Sequence, residues 1–196
     1  MILSNLEILK AIRSGEIQIG DLTGKEDPNA VHMNTTTIDL HLGSEILLPI
    51  DQPASVDVSK PGLTAHLHRN CTRIQLNDKT APTYNLPPNL LVLAQTKEII
   101  RLPIPKDSQG ARKTYAARVE GRSSIARFGV LVHFTAPTVH AGYDGTLTLE
   151  IINLGKNDFL LRLGMRICQL VFELVSGRIA PTDTQFTGQR SPAGKL

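Results

Sequence analysis

The chain has 196 residues, a formal net charge of +3 at pH 7 and an isoelectric point near 9.0. So small a charge, without a run of basic residues, excludes a polybasic nucleic-acid surface, and 4% aromatic residues without tryptophan exclude a base-stacking platform. Two distant cysteines, Cys71 and Cys168, indicate a reduced, cytoplasmic protein, and no segment reaches the ~18 consecutive apolar residues of a membrane span.

The amino terminus predicts a short helix over residues 5–14. Ser4 and Glu7 have the spacing of a capping box, in which the hydroxyl accepts a hydrogen bond from a first-turn N–H and the acid reaches back. Apolar residues recur at helical spacing as far as Gly15, which is a stop signal.

The remaining chain predicts a single, mainly β domain over residues 1–196. Short runs rich in Val, Ile, Leu and Thr alternate with Pro, Gly, Asn and Asp, as in a sandwich or barrel. The predicted strands are 37–42, 45–50, 63–68, 72–76, 90–102, 115–120, 130–135, 146–153, 158–162 and 166–175. The predicted surface segments are the loops 21–36, 51–61 and 103–114 and a tail, expected to be mobile, from about residue 181.

The run from Arg118 to Gly129 combines arginines, hydroxyls and glycines. Glycine lets backbone N–H groups approach anionic oxygens, serine supplies short donors, and arginine supplies a planar charged fork. The residues suited to surround a triphosphate are Gly121, Arg122, Ser123, Ser124 and Arg127. A helical turn over 123–128 would aim N–H groups at phosphate. A solvated turn is the alternative interpretation.

About twenty residues further along, Glu150 lies among apolar neighbours in the alternating segment 147–153. Burial is expected to raise the pKa of this carboxyl toward a value suited to general acid-base catalysis. The alternative is an exposed strand residue. A phosphate-binding run followed by a half-buried acid indicates nucleotide chemistry.

Ordered motifs over most of the chain resemble the dCTP deaminase family, part of the dUTPase-like superfamily. They include Thr37-Ile-Asp-Leu-His-Leu-Gly43, the run 118–129, Val132-His-Phe-Thr-Ala136, the segment 141–150, and Leu163-Gly-Met-Arg-Ile-Cys-Gln-Leu-Val-Phe172. The resemblance implies a distorted jelly-roll or dUTPase-like β barrel with a short amino-terminal helix. It also implies a homotrimer whose active sites are shared between neighbouring subunits.

The resemblance implies hydrolytic deamination of dCTP to dUTP and ammonia, a step in pyrimidine deoxynucleotide metabolism. Zinc-dependent nucleobase deaminases carry His-x-Glu and Pro-Cys-x-x-Cys motifs, and this sequence has neither. No zinc is therefore expected, while Mg²⁺ accompanies the triphosphate. The alternatives are dUTP diphosphatase activity, a bifunctional dCTP deaminase/dUTPase that forms dUMP, and a non-catalytic nucleotide-binding regulator.

By the same resemblance, Glu150 is the catalytic proton shuttle, and Ser123 and Arg127 help to hold the attacking water and the carboxylate. The residues assigned to substrate binding are Arg122, Ser124, Thr135, Ala136, His140, Gln169 and Gln189. His133 belongs to a stretch that moves in the family when dTTP, a candidate feedback inhibitor, binds. A satisfied strand histidine is the alternative for His133.

The clearest departure from the family is Thr138-Val-His-Ala-Gly142, where many relatives carry an Ile-Asp-Pro-Gly-type sequence. His140 replaces an aspartate that in dUTPases contacts the deoxyribose and activates water against the α-phosphate. The expected main product is therefore dUTP, and His140 either contacts the sugar or caps a turn. Phe186, in the tail that closes over the nucleotide in the family, stands where relatives often have tyrosine.

Overall fold

The computed structural model describes residues 1–50, 55–57, 62–105, 113–180 and 188–194. In these ranges the chain forms three helices and eleven strands, which are, in chain order, α1 (Asn5–Arg13), β1 (Gln18–Ile19), β2 (Thr37–Pro49), α2 (Leu63–Arg69), β3 (Cys71–Gln75), β4 (Thr83–Leu86), β5 (Leu91–Arg101), β6 (Tyr115–Gly121), α3 (Ser123–Ala126), β7 (Val130–Val132), β8 (Thr138–Val139), β9 (Asp144–Asn153), β10 (Phe159–Arg162) and β11 (Arg166–Leu174). Within the described ranges, no helix is long and apolar enough to cross a membrane.

Helix α1 forms as its capping signal predicts. Ser4 is extended, and its Oγ accepts a hydrogen bond from the Glu7 N–H at 3.3 Å. The helix buries Ile8 and Ile12 against the core, and it ends one residue before the predicted boundary.

The strands are antiparallel, and most of them belong to one curled sheet. Its order is β7-β9-β5-β2-β11-β6-β8, with β1 added to β5 and β3 added to β2. Strands β4 and β10 form a separate pair. The long strand β2 pairs with β11 through its first half and with β3 through its second half. This mainly β, curled half-barrel sheet with a short amino-terminal helix confirms the predicted fold class.

Strand alternation separates the core from the site. In β9, Leu149 and Ile151 are fully buried, and so is Phe172 of β11. Glu150 lies between the two buried residues of β9 and points to the opposite, half-buried face. Strand β9 therefore packs apolar side chains into the core on one face and carries the Glu150 carboxylate on the other.

A close approach of two loops fixes α3 beside the end of β9. Gly129, which follows α3, has φ +82°, and a Cβ on it would lie 2.7 Å from the Gly155 nitrogen. A Cβ on Gly155 would in turn clash with the Phe128 carbonyl oxygen. Only residues without side chains allow this contact, which joins the turn after β9 to the phosphate-motif helix.

Four strand predictions are wrong in detail. Residues 63–68 form helix α2, although the sequence alternates as a strand would. The runs 37–42 and 45–50 join into the single strand β2, because Gly43 and Ser44 stay extended within it. The predicted strand 130–135 ends at Val132, because the next residue adopts a left-handed backbone.

Candidate active site

The pairing of β7 with β9 brings His133 to Glu150. Val132 stands opposite Ile151 in the register, and the next backbone N–H along, that of His133, donates to the Glu150 carbonyl at 2.8 Å. His133 has φ +78°, a conformation that non-glycine residues rarely adopt. The left-handed residue ends β7 directly opposite the carboxylate.

Both ring nitrogens of His133 face oxygen atoms. Nδ1 lies 2.6 Å from Glu150 Oε2 in an ion-pair contact without hydrogen-bond geometry, and Nε2 lies at hydrogen-bond distance, 2.8 Å, from the Ala136 carbonyl oxygen. A carbonyl and a carboxylate accept but do not donate, so the doubly protonated ring fits this position best. The histidine side chain is 9% exposed and the glutamate side chain 32%, so water screens the ion pair only partly.

The ion pair decides the pKa of each partner. Burial opposes the charged form of Glu150, but the contact with His133 outweighs it and lowers the glutamate pKa below its ordinary value. Burial likewise opposes the charged imidazole, and the Glu150 carboxylate together with the Ala136 carbonyl raises the pKa of His133. The expectation that burial raises the Glu150 pKa is therefore wrong for the free chain, because a cation stands beside the carboxylate.

The phosphate motif forms the second part of the site. Strand β6 ends at Gly121, Arg122 is the extended N-cap of α3, and Ser123 and Ser124 are exposed in its first turn. Arg127 is exposed at the carboxyl end of the same turn. A helical turn within the predicted range 123–128 is thus present, with its hydroxyls open to solvent.

A buried acid holds Arg122 in place. Asp39 on β2 lies with its Oδ2 3.3 Å from Nη1 of Arg122 and 3.4 Å from Nη1 of Arg166. Arg166 belongs to β11, the strand between β2 and β6. The Arg122 guanidinium, which is expected to bind the phosphates, is therefore held by a buried carboxylate on the neighbouring part of the sheet.

Gln169 connects the three strands around this cluster. Its Oε1 accepts from the Thr37 hydroxyl at 2.9 Å, and its Nε2 donates to the Gly121 carbonyl at 3.1 Å. The side chain lies beside the phosphate motif, as predicted, but both of its polar groups already have partners in the chain.

The predicted residues form two groups in one chain. Ala136 contacts the His133 ring that pairs with Glu150, and Thr135 is its exposed neighbour, whereas Arg122, Ser123, Ser124 and Gln169 gather at the β6–β11 end of the sheet. In the described part of the chain, the Glu150 carboxylate forms an ion pair with His133 and none with Arg127. Within the described residues, neither Ser123 nor Arg127 makes a hydrogen bond or an ion pair with this carboxylate.

His140 lies in the exposed turn that follows β8. Its carbonyl accepts from the Tyr143 N–H at 3.2 Å, so its backbone takes part in the turn. The side chain is exposed to solvent.

Gln189 is buried against the start of β9 rather than open to a ligand. Its Nε2 lies within hydrogen-bond distance of the Thr146 carbonyl at 2.9 Å and of the Tyr143 and Thr148 hydroxyls. The neighbouring Arg190 pairs with Asp144 at 2.9 Å. Residues 188–194 of the tail thus pack on the sheet, while Phe186 and the rest of 181–187 lie outside the described residues.

Sequence reasoning missed Asp39 and Arg166 as parts of the site. An acid inside the apolar run 37–42 was the available signal for Asp39, because a carboxylate flanked by isoleucine and leucine needs a cation when it is buried. Nothing local marked Arg166, which reaches the cluster through the pairing of β11 with β2.

Metal-ligand geometry is not found in the described ranges. No three His, Cys, Asp or Glu side chains there gather closely enough to hold a metal ion. Cys168 is fully buried on β11, and Cys71 begins β3, so the two thiols belong to different parts of the sheet.

Comparisons with known proteins show the family to which the sequence is similar. Residues 2–175 match the model of a family described as dCTP deaminase-like. A Persephonella marina protein named "dCTP deaminase, dUMP-forming" is 32% identical over 191 residues, covering 97% of this chain and 93% of that protein. A Rhodospirillum rubrum protein named dCTP deaminase is 31% identical over 198 residues, covering 100% of this chain and 91% of that protein.

A solved structure supports the fold. The 2′-deoxycytidine 5′-triphosphate deaminase from Agrobacterium tumefaciens matches 89% of this chain with a TM-score of 0.61 at 21% identity. This chain spans about half of that longer chain, 48% of its length.

Proposed function

This chain belongs to the dCTP deaminase-like family, and we propose that it hydrolyses dCTP to dUTP and ammonia. The observation that carries the proposal is Glu150, a half-buried carboxylate kept ionised by His133, on the same chain as an exposed arginine-serine motif. The reaction breaks the exocyclic C–N bond of a cyclic amidine and belongs to pyrimidine deoxynucleotide metabolism in the cytoplasm.

Glu150 is the proton shuttle in this proposal. Its carboxylate takes a proton from water, the resulting hydroxide attacks C4 of the cytosine, and the ring N3 receives a proton. The proton that N3 receives is the one that Glu150 took from water; Glu150 then carries the proton of the new C4 hydroxyl to the amine, C4=O forms, the C4–N4 bond breaks and ammonia leaves. The low pKa of Glu150 suits the first step, because the group must begin as a base.

Phosphate binding falls to the α3 motif. Arg122, Ser123 and Ser124 supply one guanidinium and two hydroxyls on one turn, and Arg127 supplies a second charge. Mg²⁺ enters as part of the substrate, bound to the phosphates. Asp39 already contacts two guanidinium groups, so it is not needed as a ligand of that ion.

A homotrimer is part of the proposal. Among the described residues, Ser123 and Arg127 make no hydrogen bond or ion pair with Glu150 of their own chain, which supports a site completed by a neighbouring copy. Large apolar side chains are exposed close to α3 and β7, as expected for a contact between copies. They are Phe128, Leu131, Phe134 and Leu154.

The remaining assignments concern the base, the sugar and inhibition. The backbone of Thr135 and Ala136 reads the pyrimidine, His140 contacts the deoxyribose, and Gln169 and Gln189 support the phosphates. Inhibition by dTTP acts through the His133 stretch. The left-handed backbone of His133 supports this last role, because strain at one residue leaves room for a second conformation.

Release of dUMP is the alternative product outcome. One of the relatives described above is named as forming dUMP, which favours a second hydrolytic step. His140 in place of an aspartate favours dUTP, because no carboxylate stands there to activate water against the α-phosphate. An imidazole near neutral pH is the remaining base.

Product analysis tests the proposal. The purified protein is incubated with dCTP and Mg²⁺, and dUTP, dUMP, ammonia and pyrophosphate are resolved. Ammonia with dUTP supports the deaminase, and dUMP and pyrophosphate formed in step with ammonia support the bifunctional alternative. Tight dCTP binding without either product would leave a nucleotide-binding regulator. A zinc chelator added with excess Mg²⁺ is expected to leave the rate unchanged.

A further inference from the structure

Two arginines meet one buried oxygen at the end of the sheet that carries the phosphate motif. The Asp39 side chain is 3% exposed, that of Arg122 20%, and that of Arg166 46%. Since both Nη1 atoms lie within 3.4 Å of Oδ2, they are no more than roughly 7 Å apart. Arg122 Nη1 also lies 3.5 Å from the Arg166 carbonyl oxygen, so the two residues adjoin through backbone as well as side chain.

The charges of this cluster do not balance. One carboxylate faces two guanidinium groups, and this leaves an excess of one positive charge at the cluster. Arg122 alone would already neutralise the buried acid, so Arg166 is not needed for that purpose. Nearly half of its side chain is open to solvent, where a ligand oxygen has access.

We propose that Arg166 is a further triphosphate-binding arginine beside Arg122 and Arg127, and that Asp39 is a positioning residue that holds Arg122 and Arg166 together for the phosphates. The inference rests on the proposed function, since it requires a triphosphate substrate at the α3 motif. The phosphate oxygens supply the negative charge that the pair of guanidinium groups lacks, and each guanidinium can offer two parallel N–H donors to them.

The shared oxygen explains why Asp39 positions both groups. Its Oδ1 accepts no hydrogen bond within the described residues, so the carboxylate acts on the arginines through Oδ2 alone. Without this charge, two like-charged side chains would separate into solvent. Pre-placing them removes an ordering cost when the triphosphate binds.

Binding of dCTP, deoxycytidine and inorganic tripolyphosphate to the purified protein tests the role of Arg166. Arg166→Ala is expected to weaken dCTP and tripolyphosphate roughly 10- to 100-fold and to leave deoxycytidine unchanged. With turnover, KM for dCTP should rise while kcat at saturation stays near wild type. Arg166→Lys should recover only part of the loss, because it restores charge without the fork.

Arg69→Ala is the matched control, since Arg69 is an exposed arginine at the end of α2, next to the far end of β2. It removes the same charge and should change none of the three affinities. Wild-type dCTP affinity in Arg166→Ala, with the wild-type protein binding dCTP, would overturn this inference and leave the proposed function standing. Failure of the wild-type protein to bind any triphosphate would overturn both.

Asp39→Asn tests positioning. Asp39→Asn should raise KM for dCTP without changing the affinity for deoxycytidine. In the double variant with Arg166→Ala, KM for dCTP should rise by less than the product of the two single-variant factors. If Asp39→Asn weakens dCTP and deoxycytidine binding equally, or if the KM factor of the double variant equals the product of the two single factors, Asp39 only supports the fold. If Asp39→Asn does not fold, the binding measurements on Arg166→Ala still test the proposal, because Arg166 is half-exposed and its replacement is expected to leave the fold intact.

Discussion

His133 combines an unfavourable backbone with a favourable contact. A non-glycine residue in the left-handed region costs on the order of 1–3 kcal/mol, and it persists only where its surroundings hold it. Here the ring meets Glu150 at 2.6 Å and the Ala136 carbonyl at 2.8 Å. The strained residue, His133, therefore lies against Glu150, the acid expected to perform the chemistry, and places a cation beside it.

Glu150→Gln is expected to keep nucleotide binding and to abolish deamination. The amide preserves volume but cannot carry protons, and general acid-base catalysis contributes roughly 10²–10⁴-fold to rate. Ammonia release and dCTP binding are measured on the same preparation. Turnover near that of the wild type would remove Glu150 from the mechanism.

The His133–Glu150 pair predicts a window of extra stability. The lowered pKa of Glu150 stabilises the fold above its ordinary value of 4.5, and this contribution is lost as the pH falls through the lowered pKa. The raised pKa of His133 stabilises the fold below its ordinary value of 6.5, and this contribution is lost as the pH rises through the raised pKa. Both contributions are therefore present between about pH 4.5 and 6.5.

Thermal unfolding of wild type and Glu150→Gln across the pH range checks this expectation. The difference in Tm should be largest inside that window and smaller on both sides. A difference that does not depend on pH would mean that the pair contributes no charge interaction.

At the scale of elements, Asn153 at the end of β9 joins the β4–β10 pair to the main sheet. The side chain is fully buried, and its Nδ2 donates to the carbonyls of Leu86 at 2.9 Å and Asn157 at 2.8 Å. Its Oδ1 accepts from the Gly155 N–H at 2.9 Å, in the turn that packs against α3. One side-chain amide therefore forms hydrogen bonds with three backbone groups, one on β4 and two in the segment between β9 and β10.

Asn153→Ala is expected to lower the free energy of unfolding by about 2–4 kcal/mol, because it leaves buried backbone groups without partners. Urea unfolding measures the loss. Asn157→Ala, at an exposed neighbour whose carbonyl stays in place, is the control and should cost little. Similar losses in both variants would contradict the assigned role of the Asn153 amide.

Local signals in the sequence predicted some elements and not others. The Ser4 cap predicted α1, and the alternating segment around Glu150 predicted a strand that holds the acid half-buried, as the structure has it. The alternation of 63–68 favoured a strand, whereas the structure has a helix there, since a short apolar pattern fits both periods. The contact of His133 with Glu150 could not be predicted, because it depends on the register of β7 against β9.

Phosphate-site residues show the same limit. Arg122 and Ser123 were predicted from composition within one turn. Asp39 and Arg166 are separated by more than 120 residues, and only the pairing of β2 with β11 joins them. A site formed by residues close in sequence can be predicted from the sequence, whereas a site formed by residues from different strands depends on how those strands pair.

At the scale of the whole molecule, the exposed apolar side chains near α3 predict self-association. Leu131 lies on β7, at the end of the strand order in the described sheet, and is 42% exposed. Leu131→Lys is expected to shift the protein toward monomer and to lower turnover, because Ser123 and Arg127 are proposed to act on a neighbouring copy.

Light scattering after size-exclusion chromatography measures the change. Leu160→Lys, at an exposed leucine on β10, is the matched control and should leave both mass and turnover unchanged. A wild-type mass for Leu131→Lys would place the contact between copies elsewhere.

The position of β2 between β5 and β11 has a consequence for biosynthesis. Strand β2 spans Thr37–Pro49, and one of its edges pairs with β3 over residues 45–49 but with β11 (Arg166–Leu174) over residues 37–41, so this first half of the edge stays unpaired on the ribosome until β11 has been made. An unpaired strand edge is a template for pairing with other chains. Non-local pairing of this kind also folds slowly, on the order of milliseconds to seconds. Nascent chains are therefore expected to depend on chaperones that cover this edge, and slower translation or a lower growth temperature should raise the yield of folded protein.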